Sequence, residues 1–309
     1  MPELPEVYTT VSYLNQLILG RTIQGVWTSY NSHAKNGRNT IKDPAYFKKF
    51  NRAITGAKIL HVEQQGKNIL INLSSGISIW VHMKMTGHFL FGHYRKTNTS
   101  ERKTSKEIWV AADDGPLQNS FNRFIRLLFI FSDGTHLALS DMRKFAKVAY
   151  IHTKDVPDMK ELRDLGSHPL DGNMTANSLL KQLQKRPNAP IKQALMDQNL
   201  IAGIGNIYSD EILWQAEIHP LRPTKNISVS DAGHIVSAMK SILTASIKKG
   251  GDSMSDYRNP LGEKGSYQDS HKAYRRTGLP CPKKNCYGII ERMIIGGRSA
   301  HFCPIHQKL

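Results

Sequence analysis

Two groups of residues have the types and spacing to do chemistry, one at each end of the chain. The first is Met1-Pro2-Glu3-Leu4-Pro5. A methionine followed by proline is a good substrate for N-terminal removal, which would leave the secondary amine of Pro2 free. Such an amine can attack a sugar C1′ or an aldehyde, and the iminium that results is an electron sink that eases loss of neighbouring phosphates. The reaction needs the neutral amine. An α-amino group titrates near pH ~8, proline's somewhat higher, so positive or dry surroundings are required to depress it. Pro5-Glu6 reads as the first turn of a helix, with Val7, Val11, Leu14 and Ile18 at helical spacing, and its positive dipole end would lie beside the amine. Glu3 stands next to the amine as a carboxylate for proton transfer. Met-Pro starts are common, so these residues alone do not establish a nucleophile.

The second group is Cys281, four residues, Cys286, sixteen residues, Cys303, two residues, His306. Paired ligands at short spacing on the two arms of a hairpin are what tetrahedral zinc requires. The stretch between Cys286 and Cys303 is long enough for that hairpin, with Gly296-Gly297 as its turn. His301 competes with His306 for the fourth position, but only Cys303-Pro304-Ile305-His306 has the short paired spacing. Four ligands from the chain leave no open position, so one structural zinc is expected. Arg298, at the fingertip, is then free to reach a phosphate.

Composition sets the partner class. The 309 residues suffice for two domains. Lys plus Arg number 42 against 25 Asp plus Glu, a formal charge of +17, which points to a polyanion and first to nucleic acid. No apolar run approaches the ~18 residues of a membrane span, and no signal segment opens the chain. A soluble, cytoplasmic protein is expected. Only 3 cysteines occur, all beyond residue 280, which argues for a local metal site over a disulfide scaffold.

The elements that must position these groups follow from periodicity. Residues 68–73 alternate, Ser74-Ser75-Gly76 turns the chain, and Ile77, Ile79 and Val81 resume the pattern. A second hairpin is expected from Ile125 to Phe131, through Ser132-Asp133-Gly134, returning from Leu137 to Tyr150. Residues 95–106 are charged and aperiodic, as in an exposed insertion. The strand pattern stops after about residue 152. Helices are predicted over 177–185, 191–198, 206–215 and 230–248, followed by a glycine-rich charged loop over 250–270. The fold class expected is α+β in two domains: an N-terminal β-sandwich (or barrel) with its helix over 1–152, a linker over 153–172, a helical domain with its loop over 173–270, and a zinc finger over 271–309.

These residues together resemble the formamidopyrimidine-DNA glycosylase and endonuclease VIII family of base-excision repair enzymes. Pro2-Glu3-Leu4-Pro5-Glu6 is similar to the formamidopyrimidine branch; the other branch usually has Gly in place of Leu4. Ile191-Lys192 with Leu195-Met196-Asp197 and Gly203-Ile204-Gly205-Asn206-Ile207-Tyr208 resembles the helix-two-turn-helix signature, and the finger with Gly296-Gly297-Arg298 completes the set. The resemblance implies that Pro2 attacks C1′, expels the base and then drives β- and δ-elimination. It implies that Glu3 protonates the sugar ring oxygen, that Glu6 is a second carboxylate near the site, and that Lys67 holds a phosphate beside the lesion. Removing a base from the stack leaves a gap, which Met85, Arg143 and Phe145 would fill, with Lys144 beside them. Asn206 and Arg298 match a phosphate-binding pair, and Lys192 and Tyr208 are further candidates for the DNA-facing surface.

Several positions depart from the family pattern. His306 stands where cysteine is usual and Lys144 where arginine is usual. Lys84 occupies a common glycine position, the insertion over about 95–119 is long, and the loop over 250–270, where the family grips the everted base, matches poorly. The implied function is a monomeric, bacterial, nucleoid-associated glycosylase and abasic-site lyase on double-stranded damaged DNA, with 8-oxoguanine and formamidopyrimidines as leading substrates. The alternatives are oxidised pyrimidines, or a non-catalytic zinc-containing protein that binds damaged DNA.

Overall fold

The computed structural model describes residues 1–30, 39–98, 107–254 and 256–309; part of the predicted insertion lies outside them. The chain forms two compact units. One comprises Met1–Pro2, Glu6–Leu162 and Gly250–Gly265, and the other Glu3–Pro5, Arg163–Lys249 and Ser266–Leu309.

The first unit holds most of α1 (Leu4–Leu17), then β1 (Ile23–Thr28), α2 (Pro44–Ile54), β2 (Ile59–Gln65), β3 (Asn68–Leu73), β4 (Ile77–His82), β5 (His88–Gly92), β6 (Tyr94–Asn98), β7 (Glu107–Ala111), β8 (Ile125–Phe131), β9 (His136–Ser140) and β10 (Lys147–His152). Two antiparallel four-stranded sheets, ordered β1-β8-β9-β5 and β10-β4-β3-β2, share one core built from Ile23, Phe129 and Leu139 on one side and Val62, Ile71 and Val148 on the other. This is the sandwich, not the barrel. Val7, Val11, Leu14 and Ile18 are all buried in the same core, as their spacing predicts.

Three local features differ from expectation. Strand β3 is buried on both faces, because Asn68 accepts from the Trp80 indole at 3.0 Å and Asn72 pairs with Ser78 and His61. The predicted return strand from Leu137 to Tyr150 is two strands: β9 pairs with β8, whereas β10 pairs with β4 in the other sheet. The chain changes sheets through 141–146, where Lys144 has φ 57°. Helix α2 was not foreseen, although its start is written locally: Asp43 accepts from the N–H groups of Ala45 and Tyr46, and Pro44 fills the first helical position.

The second unit contains α4 (Ala176–Leu183), α5 (Ile191–Met196), α6 (Asn206–Gln215) and α7 (Val229–Lys248), the short α3 (Lys160–Arg163) falling at the boundary, and the hairpin β11 (Glu291–Ile295) and β12 (Arg298–Phe302). Leu179, Leu195, Ile212, Ile235 and Met239 make its core. Thr175 and Ser228 start α4 and α7 with reciprocal capping boxes. Helix α5 stops two residues earlier than predicted, because Asp197 is extended and uses its carboxylate on Asn199 N–H. Gly296 and Gly297, at φ 55° and 73°, form the two-residue turn of the finger.

The loop grouped with the helical domain by sequence packs with the first unit over Gly250–Gly265. Hydrogen bonding explains this: Phe91 N–H donates to Pro260 C=O at 2.7 Å, and Asp252 N–H to the Glu6 carboxylate at 2.8 Å. Among the described residues no helix is long and apolar enough to cross a membrane.

Candidate active site

The amino terminus is built into the protein by its backbone. Glu3 is 3% exposed. Its carboxylate accepts from the N–H groups of Gly205 at 2.7 Å, Ile207 at 3.0 Å and Tyr208 at 3.4 Å. These are the unpaired donors at the start of α6, where an anion is favoured. Leu4 N–H donates to Gly203 C=O at 3.0 Å. The glycines have a steric reason: a Cβ on Gly205 would lie 2.4 Å from the Glu3 carboxyl carbon, and one on Gly203 would lie 2.7 Å from Leu4. Pro2 is buried next to this anchored pair in the chain, whereas Met1 is 39% exposed.

Glu6 has a different task. It is 2% exposed, and its carboxylate receives Asp252 N–H. A Cβ on Gly251, which has φ +84°, would come within 2.9 Å of that carboxylate. The Tyr257 hydroxyl donates to the Glu6 carbonyl at 3.0 Å, and burial pushes that hydroxyl up, so it remains a donor. Lys67 follows Gly66, φ 59°, in the two-residue turn between β2 and β3, and is only 5% exposed.

Met85, Arg143 and Phe145 lie on two loops that a buried carboxylate joins. Asp141 is fully buried. It accepts from the Thr86 hydroxyl, from Ala146 N–H at 2.8 Å and from the Tyr30 hydroxyl at 3.1 Å. Burial, and then Asp141 itself, push the Tyr30 hydroxyl up, which keeps its proton in place. Arg143 N–H donates to Thr86 Oγ1 at 3.0 Å, and Lys42 Nζ to Lys144 C=O at 2.7 Å. Out of this frame Arg143, Lys144 and Phe145 are exposed, with the Arg143 guanidinium 4.6 Å above the Phe145 ring; Met85 is partly buried. Lys84 takes φ 55°, a conformation that glycine adopts freely and other L residues at about 1–2 kcal/mol. Its N–H donates to His82 Nδ1 at 3.0 Å. Burial, then the charges of Lys84, Lys67 and Lys147, push His82 down to about 3, so it is a neutral acceptor.

In the second unit, Asn206 is partly buried and Arg298 exposed. Lys192 and Tyr208 are both completely buried, so neither belongs to the DNA-facing surface expected from sequence. Lys192 Nζ pairs with Asp210 and reaches Ser209 Oγ at 3.2 Å; the other Asp210 oxygen accepts from His301 N–H at 3.0 Å and Nδ1 at 2.8 Å. A buried charge requires such partners, and this network ties α5 and α6 to β12. Tyr208 bonds Ser246 at 2.6 Å. The fingertip rests on α5, since a Cβ on Gly296 would collide with Gln193. Glu211 receives the N–H groups of Lys272, Ala273 and Tyr274 at 2.8–2.9 Å and pins the approach to the finger; burial pushes its carboxyl up.

Cys281, Cys286, Cys303 and His306 present ligand atoms that all lie within 4.8 Å of one another. His306 Nδ1 is 3.4 Å from Cys281 Sγ and 3.7 Å from Cys286 Sγ, and Cys286 Sγ is 3.6 Å from Cys303 Sγ. A tetrahedron with metal–sulfur bonds of about 2.3 Å has edges of about 3.7 Å, so the four residues fit a metal ion. The other His306 nitrogen faces the Trp214 carbonyl at 3.2 Å, which orients the ring. Gly288 leaves room for sulfur: a Cβ there would lie 2.5 Å from Cys303 Sγ. His301, the rival ligand, is committed to Asp210.

Asp141, Asp210 and Glu211 escaped sequence reasoning. Neither the lone Asp141 nor the adjacent pair Asp210-Glu211 stands at a spacing that marks a site in the sequence.

Comparisons with known proteins agree with this architecture along the whole chain. Residues 1–148 match the family model described as formamidopyrimidine-DNA glycosylase N-terminal domain, and 165–258 match the formamidopyrimidine-DNA glycosylase H2TH domain. The chain is 32% identical over 307 residues to a formamidopyrimidine-DNA glycosylase of Bacillus cereus, covering 99% of each. It is 33% identical over 309 residues to that of Pelotomaculum thermopropionicum, covering all of both. Among solved structures it resembles the MutM (Fpg) protein of Thermus thermophilus, with TM-score 0.76 and 30% identity over 98% of this chain and 97% of that one. It also resembles Lactococcus lactis Fpg in complex with an abasic site containing DNA, with TM-score 0.80 and 26% identity over 99% and 100%. The chain therefore belongs to the formamidopyrimidine-DNA glycosylase family.

Proposed function

We propose that this protein is a DNA glycosylase of base-excision repair that also cleaves the strand at the abasic site, acting on oxidised purines in double-stranded DNA. The observation that carries the reading is the anchoring of Glu3. A carboxylate held by three N–H groups next to the chain's only possible imino nucleophile is a proton carrier paired with an amine at fixed spacing. The relatives' names and the abasic-site DNA in a solved relative support the same reading.

In this reading the Pro2 nitrogen attacks C1′ and the bond to the base breaks, the electrons leaving with the base. The Glu3 carboxylate takes the N–H proton that the attacking nitrogen releases and passes it to O4′, the ring opens to the iminium, and loss of a C2′ proton to base then expels the 3′ phosphate, the 5′ phosphate following in a second elimination. Lys67 and the pair Asn206 and Arg298 hold phosphates, and Met85, Arg143 and Phe145 occupy the gap left by the everted nucleotide. Asp141 is a positioning residue for that wedge. One zinc ion on Cys281, Cys286, Cys303 and His306 would staple the finger that carries Arg298 and supplies no reaction step. The insertion over 95–119 and the replacement of arginine by Lys144 bear on lesion choice.

Borohydride trapping tests the proposal. A duplex with one 8-oxoguanine or one abasic site should yield a covalent adduct whose mass places the DNA on Pro2 of a chain lacking Met1, and Pro2→Gly should lose it completely. Binding of damaged duplex without any adduct from correctly processed protein would reduce the molecule to a DNA clamp.

A further inference from the structure

We infer that the segment between β7 and β8, through Asn122, holds residues 257–265 of the glycine-rich loop in one conformation and so sets how the everted base is read. This rests on the proposed glycosylase activity.

The loop is fixed at two places within the first unit. Its beginning is bonded to Glu6, four residues after Pro2 in the chain, through Asp252 N–H and the Tyr257 hydroxyl. A base presented to Pro2 must therefore lie near this segment. Its far side is bonded to the segment between β7 and β8. Asn122 is 2% exposed, and its Nδ2 donates to Pro116 C=O at 2.8 Å and to Gly262 C=O at 3.2 Å. With the amide nitrogen spent on two carbonyls, Asn122 Oδ1 faces His88 Nε2 at 3.0 Å, while His88 Nδ1 faces Thr86 C=O at 3.2 Å. One side chain thus joins the segment between β7 and β8, strand β5 and the loop.

Steric fit makes the same connection. Gly262 has φ +84°, and a Cβ there would lie 2.9 Å from both Asn122 Nδ2 and the Pro116 carbonyl. The neighbouring Arg258 is 1% exposed, lies with its guanidinium 4.7 Å above the Phe121 ring, and donates to Tyr257 C=O at 2.6 Å. Phe91 N–H to Pro260 C=O adds a backbone tie at 2.7 Å. A loop held from both sides before DNA arrives loses less conformational freedom on binding a base, and it accepts fewer base shapes. Asn122 touches neither sugar nor phosphate chemistry in this scheme. It is a positioning residue for base recognition.

That separates two reactions of the same enzyme. Release of 8-oxoguanine needs the base to be gripped; cleavage of a preformed abasic site has no base to grip. Asn122→Ala should lower single-turnover release of 8-oxoguanine at least tenfold and leave cleavage and trapping of an abasic duplex within twofold of the unmodified protein. Gly262→Ala attacks the same contact from the loop and should act in the same direction; the double variant should be no worse than the worse single one. Amide hydrogen exchange over 256–265 should speed up in both single variants. A parallel fall in both reactions, no fall in either, or unchanged exchange over 256–265 would overturn the inference. If the unmodified protein traps no abasic duplex, the glycosylase reading itself fails, and the exchange measurement still decides whether Asn122 holds the loop.

Discussion

Glu3 and Asp141 are both buried carboxylates with three hydrogen-bond donors, yet they are held by different kinds of group. Three main-chain N–H groups at the start of α6 donate to Glu3. Asp141 is held by two hydroxyls, from Tyr30 and Thr86, and by one N–H, from Ala146. In the first site the donors are present whatever side chains surround them, and depend on residue type only at the glycines that make room for the carboxylate. The second is a network in which each member depends on others. The group proposed to transfer protons thus sits in the stiffer setting, and the residues proposed to enter the stack sit in the adjustable one.

The comparison can be broken by substitution. The largest effect is expected for Asp141→Ala, which strands two hydroxyls and an N–H in a buried site and should lower unfolding stability by about 3 kcal/mol. Chemical denaturation measures it. A loss below about 1 kcal/mol would mean that the wedge loops are held by other contacts and the contrast with Glu3 is false.

The next effect is one of pH. His82 accepts from Lys84 N–H on the Met85 loop, and its folded value is about 3, against about 6.5 in the unfolded chain. The neutral ring therefore contributes stability that is present above pH ~6.5 and is lost as pH falls toward 3. Unfolding measured at pH 7 and pH 5 should show a decline that His82→Gln reduces by up to about 2 kcal/mol. An identical decline in both proteins would remove pH sensitivity from the side-chain-held region.

The smallest stability effect belongs to Glu3→Gln, in which the amide keeps one acceptor and sets an NH₂ against a main-chain N–H. About 1 kcal/mol is expected, with a much larger loss of trapping rate because the proton carrier is gone. A stability loss equal to that of Asp141→Ala would show that main-chain donors confer no special robustness here.

Much of the site was legible because its signals are local. A proline after the initiator methionine, a carboxylate beside it, four ligands in two short-spaced pairs and a Gly-Gly turn each declare themselves within a few residues. Their chemistry depends on covalent spacing, which folding does not alter. The glycines of Gly203-Ile204-Gly205-Asn206 were recognisable as a motif, but their cause was not, since the side chains they make room for are about 200 positions away in the sequence, at Glu3 and Leu4.

Tertiary structure decided what depends on burial and on distant partners. Lys192 reads as a cation for a phosphate until its ammonium is seen enclosed with Asp210. Residues 137–150 look like one strand until the register assigns β9 and β10 to different sheets. The loop following α7 joins the first unit through Glu6 and Asn122, residues that precede it by more than a hundred positions. Sequence by itself determined which reactive groups exist and how the chain spaces them. Which of those groups face solvent, and which buried partner holds each, came from the folded chain alone, because desolvation and hydrogen-bond pairing are properties of the packed whole.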